Sequence, residues 1–87
     1  MKKRATAKQL HDALVKIHTA GGLTKTQSLE VVGGYPKKSD EYYNRISGGF
    51  AMVIAGIAVG DFVRGFPNPR AATKEANNQI SVLTANR

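Results

Sequence analysis

The chain has 87 residues, of which 41% are hydrophobic and 22% are charged, a balance typical of one small domain with no room for a second core. Thirteen Lys and Arg residues against six Asp and Glu give a net charge of +7 and a pI near 10.1, which favours polyanionic partners. The chain contains no cysteine, so disulfide frameworks, thiolate metal sites and cysteine nucleophiles are excluded.

The chain begins with a basic arm, residues 1–5, followed by a single helical domain expected over residues 6–87. The arm is not followed by an apolar run, so we expect no signal peptide and a location in the cytoplasm or inside a virion. Thr6 and Gln9 form a capping-box signature, which predicts the start of a helix over residues 7–20. Its apolar stripe consists of Leu10, Ala13, Leu14 and Ile17.

The next two helix starts are also indicated by capping residues. Either Thr24 or Thr26 can cap a helix over residues 25–32, although the letters SLEVV are equally compatible with a strand. Ser39 followed by two acids predicts a third helix over residues 39–47, because acids suit the positive end of a helix dipole. That helix either continues or kinks at a pair of glycines into a segment over residues 49–64.

The most apolar part of the chain is an uncharged stretch over residues 46–60. As a helix it would be about 22 Å long, short of the roughly 30 Å hydrocarbon core of a membrane. We therefore disfavour a membrane span. A β-hairpin over residues 50–63 is an alternative, but the stretch lacks alternation and a hairpin turn. A helix here would be apolar nearly all round and must be covered, either by its own chain or by a second subunit.

The last predicted element is a helix over residues 70–84, which follows a proline-containing turn. Its narrow apolar stripe consists of Ala72, Ala76, Ile80 and Leu83, with Asn77, Asn78 and Gln79 outside it. The fold class predicted for the whole chain is therefore mostly α, a small bundle of about four helices.

No catalytic or cofactor signature is present in the sequence. His11 and His18 share a face of the first helix, but a metal site needs three or four ligands, so we interpret them as structural or surface histidines. No serine lies in a nucleophile elbow, and the glycine pairs do not match a phosphate-binding loop. We expect no catalytic residue, no metal, no cofactor and no enzymatic activity.

Two sets of residues are candidates for binding. Cations that lie in the arm, in a loop or on a helix are expected to contact phosphates; they are Lys2, Lys3, Arg4, Lys8, Lys37, Lys38 and Arg45. Small residues four apart allow two helix backbones to approach closely, and the uncharged stretch also carries large apolar side chains. The expected self-association residues are Ala51, Ala55, Gly56, Gly60, Phe50 and Ile57.

The preferred interpretation is a small, basic, non-enzymatic protein that forms homo-oligomers and binds nucleic acid through phosphate contacts. The alternative is a self-assembling structural subunit, such as a virion or filament component or a phage or mobile-element accessory protein. The letters FAMVIAGIAVG, residues 50–60, resemble the apolar helices of filamentous coat proteins and conjugative pilins, although they carry no specific motif. A membrane-associated protein is the third possibility considered.

Overall fold

Helix α1, Ala7–Ala20, is the central element, because it packs against each of the other three α-helices. The computed structural model describes residues 5–33, 39–60 and 62–85. In chain order these residues form α1, α2 (Lys25–Val32), α3 (Asp40–Val59), a 3₁₀ turn (Phe62–Gly65) and α4 (Pro69–Ala85). The described ranges contain no strand, so the predicted small helical bundle is confirmed and the β-hairpin alternative is wrong.

Local hydrogen bonds determine where α1 and α2 begin. The Thr6 hydroxyl oxygen accepts from the backbone N–H of Gln9 at 3.1 Å, and the Gln9 side-chain oxygen accepts from the Thr6 N–H at 2.8 Å. Thr24 and Gln27 form the same reciprocal pair at 3.1 and 2.9 Å. Thr24 rather than Thr26 therefore caps α2, and the strand alternative for this segment is wrong.

Helix α3 is one continuous helix of 20 residues. Ser39 caps it by accepting a backbone hydrogen bond from the first turn. The helix continues through Gly48 and Gly49 without interruption. Gly60 adopts a φ of +81°, a left-handed conformation that ends an α-helix at little cost in glycine. Helix α3 therefore ends before the predicted boundary at residue 64, and the 3₁₀ turn follows it.

Helix α4 runs back along α1 in the opposite direction. The backbone N–H of Asn68 donates to the carbonyl oxygen of Gly21 at 2.8 Å, which joins the start of α4 to the end of α1. At the opposite end, Leu83 packs against the same buried cluster as Ala5 and Ala7. The two helices are therefore in contact along most of their length.

The inward face of α4 differs from the prediction at one turn. After the buried Ala76, the next buried residue is Gln79, which is 6% exposed, whereas Ile80 is 37% exposed. Gln79 follows Ala76 by three positions and precedes the half-buried Leu83 by four, which is the spacing of one helix face. The Gln79 amide donates to the Glu75 carboxylate at 2.5 Å, so this buried polar group has a partner.

Two clusters of buried side chains lie along α1. One joins α1 to α2 and to the first half of α3, and consists of Leu10, Leu14, Val32, Tyr42 and Ile46. The other joins the second half of α1 to α4, and consists of Ile17, Ala72 and Ala76. Phe50 and Val53 of α3 pack against both clusters. Helix α3 thus covers the core from outside with one of its faces.

Candidate functional site

Every Lys and Arg side chain in the described part of the chain is exposed. These residues are Lys8, Lys16, Lys25, Arg45, Arg64, Arg70 and Lys74. They include two of the predicted phosphate contacts, Lys8 and Arg45. The other predicted contacts, Lys2, Lys3, Arg4, Lys37 and Lys38, lie outside the described residues. The described ranges carry seven Lys and Arg against five Asp and Glu, a net charge of +2, so most of the net charge of +7 comes from residues outside them.

Five of these cations have no anionic partner within residues 5–33, 39–60 and 62–85. The side chains of Lys8, Lys16, Lys25, Arg70 and Lys74 form no ion pair and no hydrogen bond with a described group. A solvated cation without a carboxylate partner can engage an external phosphate without first breaking an internal pair. These five side chains are the described groups best suited to contact an anion.

Two of the five cations lie next to each other on α4, and sequence reasoning did not select them. Arg70 and Lys74 are four residues apart, and with Pro69, Thr73 and Asn77 they line an open depression of about 430 Å³. The first turn of α4 contains no acid. The signal available in the sequence was the i, i+4 spacing of two cations, which places both on one helix face.

The carboxylate nearest in sequence to these cations is engaged elsewhere. Glu75 accepts hydrogen bonds from the side-chain amides of Asn78 and Gln79, at 3.3 and 2.5 Å. Glu75 therefore interacts with residues further along α4 and does not neutralise Lys74.

Arg45 differs from these five cations because it contacts its own chain. Its guanidinium carbon lies 5.0 Å from the centroid of the Tyr42 ring, within the range of a cation–π contact. One guanidinium nitrogen also donates to the carbonyl oxygen of Val32 at 3.5 Å. Arg45 thus links the end of α2 to α3. Its predicted contact with phosphate stays a prediction.

The predicted self-association residues are divided between two sides of α3. Phe50 and Ile57 are half-buried and pack inward against the buried clusters. Ala51, Ala55 and Gly60 are exposed, and Gly56 is half-buried. The inward pair therefore belongs to the packing of the chain itself, and only part of the predicted set is available to another molecule.

The outward side of α3 is apolar and uncovered. We call it the outer face of α3, and it consists of Gly48, Ala51, Met52, Ala55, Ala58 and Val59, all of them exposed. Met52 is 76% exposed and Val59 is 72% exposed. These two large side chains were not selected from the sequence, although their seven-residue separation places both on the same helix face as Ala55.

The two histidines are buried on α1. A ring nitrogen of His18 lies 2.7 Å from the carbonyl oxygen of Leu14, and its ring centroid lies 5.5 Å from that of Phe66. A ring nitrogen of His11 lies 3.6 Å from the carboxylate of Asp12. Among the described residues, no group of three or more His, Asp or Glu side chains is placed to hold a metal ion. Both histidines are part of the helix packing.

Neither a membrane-spanning helix among the described residues nor a similar known protein indicates a function for this chain. Within the described ranges, none of the helices has the length and apolar character needed to cross a membrane. No protein-family model, no curated protein and no solved structure matches the chain. Its function must therefore be argued from its own residues.

Proposed function

We propose that this protein binds nucleic acid through contacts to phosphates and that it is not an enzyme. The observation that supports this most directly is a group of five exposed cations that have no carboxylate partner among the described residues, Lys8, Lys16, Lys25, Arg70 and Lys74. Each cation that neutralises a phosphate releases condensed counterions, and this release supplies most of the free energy of non-specific binding. The net charge of +7 adds long-range attraction to a polyanion.

The distribution of the cations favours contacts to the backbone rather than reading of bases. Lys8 and Lys16 lie on α1, Lys25 begins α2, and Arg70 and Lys74 lie on α4. Phosphate contacts position a protein on nucleic acid without reading its sequence, whereas base readout requires side chains presented together in one groove. Spread over three helices, these cations are suited to binding that tolerates many sequences. We propose that the cations of the basic arm add to the same interaction.

The test is the salt dependence of binding to labelled random-sequence duplex and single-stranded DNA. We expect the logarithm of the association constant to fall linearly with the logarithm of salt concentration. Replacing both Arg70 and Lys74 with glutamine should reduce the magnitude of this slope by about 2 if each contacts one phosphate. A matched double variant, Ser81→Gln with Thr84→Gln, changes two exposed polar residues of the same helix without changing its charge, and should keep the wild-type slope.

Two results would count against the proposal. The first is a failure of the wild-type protein to bind either DNA at low salt. The second is binding that does not weaken as salt is added, because contacts to phosphates always carry a salt dependence.

A second candidate function is a self-assembling structural subunit, and the exposure of Met52 and Val59 favours it. In this case the outer face of α3 would pack copies together without nucleic acid. Light scattering over a range of protein concentrations tests it. Large assemblies in the absence of nucleic acid would support this function, and a monomer at high micromolar concentration would exclude it.

A further inference from the structure

The outer face of α3 is an apolar surface on an otherwise basic molecule. From Gly48 to Val59 the exposed row contains neither charge nor hydrogen-bonding side chain, and it includes Met52 and Val59, at 76% and 72% exposure. The five cations that have no carboxylate partner in the described part of the chain lie on other helices. A molecule that covers the outer face therefore leaves those cations available to phosphate.

The outer face of α3 is small for a protein–protein interface. From Gly48 to Val59 it is about 17 Å long, and its six residues together expose on the order of 450 Å² of accessible surface. Two such faces together would bury at most about 900 Å², whereas stable protein complexes bury about 1,200–2,000 Å². Two copies of charge +7 also repel each other. The outer face alone is therefore too small to hold a dimer in dilute solution.

Nucleic acid removes both obstacles. Two copies bound side by side on one strand or duplex face each other at a millimolar effective concentration, and the phosphates neutralise their charge. We propose that the outer face of α3 pairs with the outer face of a second copy only when both are bound to nucleic acid, which makes binding cooperative. This proposal rests on the proposed nucleic-acid binding and names the surface that couples neighbouring copies.

The charges at the two ends of α3 favour an antiparallel pair. Asp40 and Glu41 lie in its first turn, so a parallel pair would place acids of both copies side by side. In an antiparallel pair centred on Met52, the acidic first turn of each copy instead lies beside the uncharged last turn of the other, which ends at Val59. The two helix dipoles then point in opposite directions, which is the favourable arrangement.

The small residues suit the centre of such a pair. Gly48, Ala51 and Ala55 flank Met52 on the outer face, and small side chains let two helix backbones approach closely. Identical faces that pair with each other form a closed two-fold contact. The expected unit is therefore a pair of copies on nucleic acid rather than an open filament.

The experiment compares Met52→Glu with Val31→Glu. Val31 lies on α2 and is 62% exposed, so both variants add one negative charge at an exposed apolar position, and only one lies on the outer face. Binding isotherms are measured on random-sequence duplexes of about 8 base pairs, formed as the stem of a hairpin, and of about 40 base pairs, the shorter being about 27 Å long at 3.4 Å per base pair. The protein measures 36 × 25 × 18 Å, so the shorter duplex is too short for two copies side by side, even along the shortest axis of the protein.

On the longer duplex, we expect wild type and Val31→Glu to bind with a Hill coefficient above 1, and Met52→Glu with a Hill coefficient of 1. On the shorter duplex, the two variants should have the same affinity. Circular dichroism of both variants verifies that the helices are retained.

Four outcomes would overturn the proposal. Non-cooperative wild-type binding to the longer duplex, with intact binding to the shorter one, removes the pairing but leaves the proposed nucleic-acid binding standing. Absence of binding to either duplex removes both. A stable dimer without DNA at low micromolar concentration removes the dependence on nucleic acid. Binding of wild type but not Met52→Glu to anionic lipid vesicles, without cooperativity on DNA, would instead assign the face to a membrane surface.

Discussion

The backbone N–H of Asn68 donates a hydrogen bond of 2.8 Å to the carbonyl oxygen of Gly21, which fixes the start of α4 against the end of α1. Gly21 is buried at this junction, and a Cβ there would overlap the ring of Phe66 and lie 3.1 Å from the Cβ of Ala72. The close approach of α1 and α4 therefore depends on the absence of a side chain at Gly21.

Replacing Gly21 with alanine should destabilise the protein by about 1–3 kcal/mol, because the added methyl group overpacks the junction. Gly49→Ala is the matched control. Its Cβ would meet nothing within 4 Å, and alanine inside a helix is favoured over glycine by about 0.5–1 kcal/mol. Urea unfolding measures the change in the free energy of unfolding for both variants. Equal effects of the two substitutions would contradict the described junction.

Removal of the cap of α2 should cost about 1 kcal/mol. Thr24→Ala leaves the backbone N–H of Gln27 without its acceptor and removes one half of the capping box. Thr26→Ala, two residues further on, should change the free energy of unfolding by less than about 0.5 kcal/mol. Thermal unfolding followed by circular dichroism compares the two variants. A larger effect at Thr26 would mean that the helix begins elsewhere.

The two sides of α3 should respond differently to truncation. Phe50→Ala removes a half-buried ring that packs against both buried clusters, and should cost about 1–3 kcal/mol. Met52→Ala removes a side chain that is 76% exposed, and should cost less than about 0.5 kcal/mol. Denaturant titration of both variants tests the orientation of the helix. A costly Met52→Ala in the isolated protein would mean that the outer face is covered.

Introducing a glutamate at position 79 or at position 80 tests which of these two residues of α4 faces the core. Gln79→Glu places a carboxylate in a buried site beside Glu75 and removes the amide donor, so we expect a loss of at least about 2 kcal/mol. Ile80→Glu should cost less than about 1 kcal/mol, because this position is exposed. If the two costs were reversed, Ile80 would face the core, as its place in the apolar stripe of the sequence suggested.

The parts of the fold that depend on local interactions were predictable from sequence. The capping box of Thr6 and Gln9 and the serine cap at Ser39 involve residues three positions apart, so the sequence alone contains both partners. The arrangement of the helices was less accessible. A helix apolar on nearly every side needs cover, but which of its sides meets the core depends on distant residues such as Ile17 and Ala72.

For the candidate site, the sequence predicted the chemical class of the partner but not all of the residues involved. The net charge indicated a polyanionic partner. Most of the predicted phosphate contacts were cations that are adjacent in the sequence, so Arg70 and Lys74, which are four residues apart and share a face of α4, were not among them. Likewise, the spacing of small residues predicted a contact between α3 and a second helix, but it did not identify Met52. Met52 is recognised as exposed only when the side of α3 that packs on the core is known.

We propose that exposed cations with no carboxylate partner within residues 5–33, 39–60 and 62–85 bind nucleic-acid phosphates. The most direct measurement is the titration of a labelled random-sequence duplex with the wild-type protein over a series of salt concentrations. We expect tight binding at low salt and a linear, steep decline of the logarithm of affinity with the logarithm of salt concentration. No binding at low salt, or an affinity that does not change with salt, would contradict the claim.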